Sequence, residues 1–226
     1  MTGSLSIKPT VRPVLFRGWL MQQPRCGERR AAMKGKAEKI MRILTLPPLV
    51  ALLTAALLYL GAGMSRGEFL AAALYLFLVP LLAYPLWELF PNREDRRSGQ
   101  RSYALYCSVA GYVAGFLWSL VGVHSTEVRV LFASYVLSVV VLIVLSKLFG
   151  FKVSGHACSS TAPLVLLTWK LGPLIIPLGL AILFAVYYSS LRLKRHTLAQ
   201  LQAGSSVSLL AAAGSIMLYG CLLPGA

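Results

Sequence analysis

Seven apolar runs, each long enough to cross a bilayer as a helix, divide this chain, and no other feature constrains its fold as strongly. In lipid, every backbone N–H and C=O must find a partner within the protein. A run of roughly 17–25 apolar residues is therefore read as a transmembrane helix. The runs are 43–62, 69–90, 103–122, 128–148, 155–171, 173–190 and 201–223. With 57% hydrophobic residues and a mean hydropathy of +0.71, the chain is too apolar for a soluble domain. The expected fold is all-α, a polytopic transmembrane bundle of about seven spans with no internal repeat. The fifth run opens on small and polar residues (Gly155, Ala157, Cys158, Ser159, Ser160, Thr161). Small residues allow close helix approach, so this run reads as an interior helix. Pro47 and Pro48 suit a first helical turn. Pro80, Pro85 and Pro177 are expected to kink the second and sixth spans.

The net charge of +15 is unevenly spread. Before residue 43 the chain carries ten Lys and Arg against Glu28 and Glu38. This divides it into a basic tail, 1–42, and a membrane-embedded domain, 43–226. A basic tail next to a membrane domain fits anionic lipid headgroups, at about 1 kcal/mol per cation near the surface, better than it fits nucleic acid. The tail lacks the apolar core and small-residue cleavage site of a secretory signal. Together with Arg93, Arg96, Arg97 and Arg101 in the loop 91–102, it predicts a cytoplasmic N-terminus. The cysteines Cys26, Cys107, Cys158 and Cys221 form no Cys-x-x-Cys pair and read as free thiols. With no carboxylate cluster either, neither a metal nor another cofactor is implied.

Two short polar segments interrupt this apolar pattern. One is Lys152-Val153-Ser154-Gly155-His156. The other runs from Ser190 through Arg192, Lys194, Arg195 and His196 to Gln200. Ionisable residues at membrane depth are costly and usually mark function. On a continuous helix, Arg192, His196 and Gln200 would share one face, being spaced four apart. Gln200 would then hold one imidazole nitrogen of His196 while the other attacks phosphorus. A phosphoryl group in transfer spreads negative charge over its oxygens and needs cations and backbone N–H groups. Lys152, Arg192, Lys194 and Arg195 could supply the cations. Ser154 and Gly155 open the fifth span, where the first N–H groups of a helix favour an anion. His156 could donate the proton to the leaving group, a role typically worth ~10²–10⁴-fold. His124 reads as a surface residue in a loop at the other end. Aromatic residues near span ends, such as Trp87, Tyr103 and Tyr188, read as interface anchors.

The two segments resemble the second and third motifs of the type 2 phosphatidic acid phosphatase (PAP2) family, P-S-G-H and S-R-x5-H-x3-D. Ser154, Gly155, His156 and His196 match; Val153, Ser190 and Gln200 replace the proline, arginine and aspartate. The family's first motif, K-x6-R-P, has no direct counterpart. Arg93 to Arg97, with Arg96 and Arg97 as the phosphate-binding pair, and Lys152 are the candidate replacements. The resemblance covers roughly residues 90–223. It implies a PAP2-like core and a metal-independent membrane phosphatase acting on a lipid phosphate or a polyprenyl phosphate or diphosphate. His196 would be the nucleophile and His156 the acid. Lys152, Ser154, Gly155, Arg192 and Arg195 would bind the phosphate, and Gln200 would orient His196. The departures at Ser190 and Gln200 would equally suit a lipid-phosphate binder or a phosphotransferase. A transporter or structural membrane protein is the third alternative.

Overall fold

A computed structural model of the chain describes residues 40–89 and 96–222. The basic stretch 1–39 lies outside the described residues, as does the loop 90–95 with Arg93. The tail boundary at residue 42 falls within a short helical turn over 40–44.

The described residues are helical, with no strand among them. There are seven segments: α1 (Pro47–Gly61), α2 (Arg66–Trp87), α3 (Arg96–Leu120), α4 (Thr126–Lys147), α5 (Gly155–Leu171), α6 (Ile176–Arg192) and α7 (Leu198–Ser215, continued by a π-turn over Ile216–Leu222). Each falls on one of the seven apolar runs. Five of them are long and apolar enough to cross a membrane: α2, the Ser102–Leu120 part of α3, α4, α6 with its preceding 3₁₀ turn, and α7 with its π-turn. These five helices indicate a multi-pass membrane protein. At 1.5 Å per residue, α1 and α5 reach only about 22 and 26 Å, less than the ~30 Å hydrocarbon layer.

The prolines act differently from one another. Residues Ala73–Leu78 within α2 are π-helical, and the Val79 N–H bonds back to Leu74 O, five residues earlier. The wider turn precedes Pro80, whose ring would clash with a carbonyl in regular α-helical register. Pro177, expected to kink the sixth span, instead sits in the first turn of α6, where its missing N–H costs nothing. Pro163 lies within α5.

Packing centres on α5, which contacts α1, α6 and α7, while α7 also lies along α4. The α5 residues 157–163 are all buried, so this small-residue helix is interior, as its composition predicts. The core is formed by Leu58, Leu76, Leu131, Phe132 and Leu166, none more than 1% exposed. At the α5–α7 seam, hydroxyls link the helices. Thr161 Oγ1 donates to Ser205 Oγ (3.1 Å), Ser205 Oγ meets Tyr187 Oη (2.9 Å), and Ser208 Oγ donates to Cys158 O (2.6 Å). Interhelical bonds of this kind contribute about 0.6 kcal/mol each in lipid.

The end of the bundle opposite the two polar segments, here called the far end, is tied by charged side chains. Glu68 closes a capping box with Ser65 at the start of α2 and also accepts from the Ser125 N–H at the start of α4. Arg129 is 7% exposed and donates to Ser119 O and Gly122 O, both at 3.2 Å. Lys170, at the end of α5, pairs with Glu127 of α4. His124 is not a plain surface residue. Its ring lies 4.1 Å from that of Trp118, and its Nδ1 is 3.9 Å from Glu68 Oε1.

Candidate active site

Both polar segments lie at one end of the bundle, here called the motif end. Their contact begins with helix capping. Ser154 is the N-cap of α5, its buried hydroxyl accepting from the Ala157 N–H. Its own N–H donates to Gln200 O at 3.1 Å, joining the Ser-Gly-His segment to the first turn of α7. This approach requires Gly204, because a Cβ there would lie 2.5 Å from Ser154 O. The amides of Gly155 and His156 are the first two of α5, where helical geometry offers no acceptor. His156 is partly buried, with its Nε2 covered by protein.

His196 does not lie on a helix continuous with Arg192 and Gln200, and this corrects the one-face arrangement expected for the three. α6 ends at Arg192 and α7 starts at Leu198. The cause is local chemistry at both helix ends. Lys194 takes a left-handed conformation (φ 49°), Lys194 N–H bonds to Leu191 O, and Arg195 N–H bonds to Ser190 O. This is the double closure of a Schellman motif, made here without glycine. Thr197 and Gln200 then form a capping box that starts α7. The Thr-x-x-Gln spacing is the sequence signal for this break, and it was legible beforehand.

The expected partnership of His196 and Gln200 is nevertheless formed. Gln200 Oε1 lies 3.1 Å from His196 Nδ1 and also accepts the Thr197 N–H at 3.2 Å. One carbonyl oxygen therefore fixes both the helix start and the imidazole. An acceptor at Nδ1 selects the tautomer with its proton there and leaves Nε2 as the basic nitrogen.

No protein-family model, curated protein or solved structure matches this chain.

The cations are arranged less uniformly. Lys152, Arg192, Lys194 and Arg195 are all exposed at the motif end. The Arg192 guanidinium lies 5.7 Å from the Tyr188 ring centre, over the last turn of its own helix. Ser190, at the position of the family's arginine, is 1% exposed and uses its carbonyl to close α6. Its side chain therefore brings no cation to the motif end. Arg96 and Arg97 open α3, but their side chains lie outside the described part of the structure.

Sequence reasoning does not reveal a cavity of about 140 Å³ lined by Gly155 and His156 together with residues of α1, α3, α4 and α5. Its lining comes from several helices, so no linear motif marks it.

Proposed function

We propose that the chain is an integral membrane phosphatase that hydrolyses a lipid phosphate, or a polyprenyl phosphate or diphosphate, through a phosphohistidine. The observation that carries this reading is the Gln200 junction. Its backbone carbonyl holds Ser154 and its side-chain carbonyl holds His196, so the two motif segments are joined through one residue.

In the proposed reaction, His196 Nε2 attacks phosphorus and the bond to the leaving oxygen breaks. His156, protonated, gives its proton to that oxygen from Nδ1, its Nε2 being covered by protein. The now neutral His156 takes a proton from water, which attacks the phosphohistidine, releases phosphate and restores both imidazoles. The Gly155 and His156 amides, Lys152 and Arg195 bind the equatorial oxygens, with Arg96, Arg97 and Arg192 as further cations. All seven helices are taken as spans, with α1 and α5 matched to the bilayer through packing and local thinning. The motif end and the N-terminus face the cytoplasm, and the basic tail lies on anionic lipid.

The test is phosphate release by the purified protein in detergent from phosphatidic acid, phosphatidylglycerol phosphate and a polyprenyl diphosphate. Release that is lost in both His196→Ala and His156→Ala supports hydrolysis. No release from any substrate by folded protein overturns it.

A second reading, a lipid-phosphate binder or phosphotransferase, is favoured by the seating of Arg192 over Tyr188 and by the neutral Gln200 beside His196. It predicts affinity for lipid phosphates without release of inorganic phosphate.

A further inference from the structure

The cavity behind His156 limits what can be attached to the phosphate. Its rim includes Gly155 and His156. Its deepest residues on three helices are Tyr112 of α3, Tyr135 of α4 and Ala162 of α5. The two tyrosine rings meet edge to face there, with centroids 5.1 Å apart. From Gly155 to Ala162 the descent along α5 is roughly 10 Å at 1.5 Å per residue. An apolar cavity of about 150 Å³ holds a benzene-sized ligand, so this one takes about six carbons.

The wall contains hydroxyl-bearing residues but offers mainly carbon. Ser108 Oγ donates to Ala104 O (2.8 Å) and Ser159 Oγ to His156 O (3.1 Å), each bond turning a hydroxyl back onto its own helix. The Tyr135 and Ser138 oxygens have no hydrogen-bond partner among the described residues but lie covered by protein, so they add little polar surface to the cavity. Leu105, Val139 and Leu142 complete the apolar surface.

A phosphate at the motif end would place the group next to its ester oxygen in this chamber. In a glycerolipid phosphate, that group is a glycerol carrying ester oxygens on its second and third carbons. Those oxygens would lose water and meet carbon, which is unfavourable. In an isoprenoid or alkyl phosphate, the same space takes only hydrocarbon. We infer that the chamber holds the first hydrocarbon unit of an isoprenoid or alkyl phosphate, against the Tyr112–Tyr135 pair. This inference rests on the reading of the motif end as a phosphate site.

The experiment measures equilibrium binding by the full-length protein in lipid nanodiscs. Two non-hydrolysable probes are compared, farnesyl phosphonate and the phosphonate analogue of dioleoyl phosphatidic acid. The prenyl probe should bind about tenfold more tightly. Ala162→Leu, which fills the chamber, should weaken prenyl binding by about tenfold and so remove its advantage over the glycerolipid probe. Leu142→Phe, from the facing wall, gives the same test if Ala162→Leu does not fold. Equal or tighter binding of the glycerolipid probe would overturn the inference. So would no binding of either probe, or prenyl affinity indifferent to both variants. Phosphate release is scored separately. Prenyl binding without release from farnesyl phosphate refutes hydrolysis and leaves the chamber standing. Release with a preference for phosphatidic acid does the reverse.

Discussion

The two ends of the bundle use ionisable residues in opposite ways. At the far end, Glu68, Arg129 and Lys170 are each bonded to neighbouring protein groups, and His124 is stacked on Trp118. At the motif end, Lys152, Lys194 and Arg195 face outward. There His196 is held by one amide oxygen, and His156 opens a cavity. Charges consumed by the fold stabilise it. Charges left at the surface beside a helix start are available to an anion. Counting cations by side does not reveal this difference. The distinction lies in what each one touches.

Substitutions can break or sharpen this contrast. The largest effect is expected for His196→Ala, which should lower phosphate release by on the order of 10⁴-fold or more in a protein that still folds. His124→Ala, at the far end, should leave release within about twofold while losing a ring contact worth about 0.5–1.5 kcal/mol. Steady-state release beside thermal unfolding in detergent separates the two. His156→Ala should cost roughly 10²–10⁴-fold in the same assay.

Arg129→Ala should act only on stability. It removes two hydrogen bonds from a buried guanidinium, each worth about 1.5–3 kcal/mol. Unfolding should therefore shift by about 3–6 kcal/mol, with the remaining folded fraction fully active. A loss of specific activity in that fraction would erase the contrast between the ends. Gly204→Ala should affect both properties, because its Cβ would meet Ser154 O and push α7 from α5. A cost of about 1–3 kcal/mol is expected for such overpacking. A fall in release beyond the fall in folded protein would show that the site depends on this seam. Thr197→Ala, like His124→Ala, is a mild change. It should cost about 0.5–2 kcal/mol through the lost cap, and unchanged unfolding would contradict the capping geometry.

Much of this arrangement was legible in the sequence, for reasons that differ by element. The seven apolar runs place seven helices because hydropathy reports directly on burial in lipid. The interior position of α5 follows from its small residues. The His196–Gln200 partnership was also foreseen, although a continuous helix was expected to deliver it. The four-residue spacing of Arg192, His196 and Gln200 hides the break at 193–197, which the Thr-x-x-Gln cap at the start of α7 marks. Pro177 starts α6 rather than kinking it because the apolar run from 173 begins before the α-helix does, at Ile176. The cavity and the far-end clasp were out of reach. Both are made by residues distant in sequence, such as Glu68 with Ser125 and Tyr112 with Tyr135, whose meeting depends on helix packing.

The most direct test is to trap the phosphoenzyme. The protein is mixed with ³²P-labelled polyprenyl diphosphate or phosphatidic acid, quenched in alkali and mapped by peptide mass spectrometry. The account predicts acid-labile phosphate on His196 through Nε2, with none on His156 or His124 and none in His196→Ala. Phosphate release by folded protein with the label on another residue, or unchanged release by His196→Ala, would contradict it.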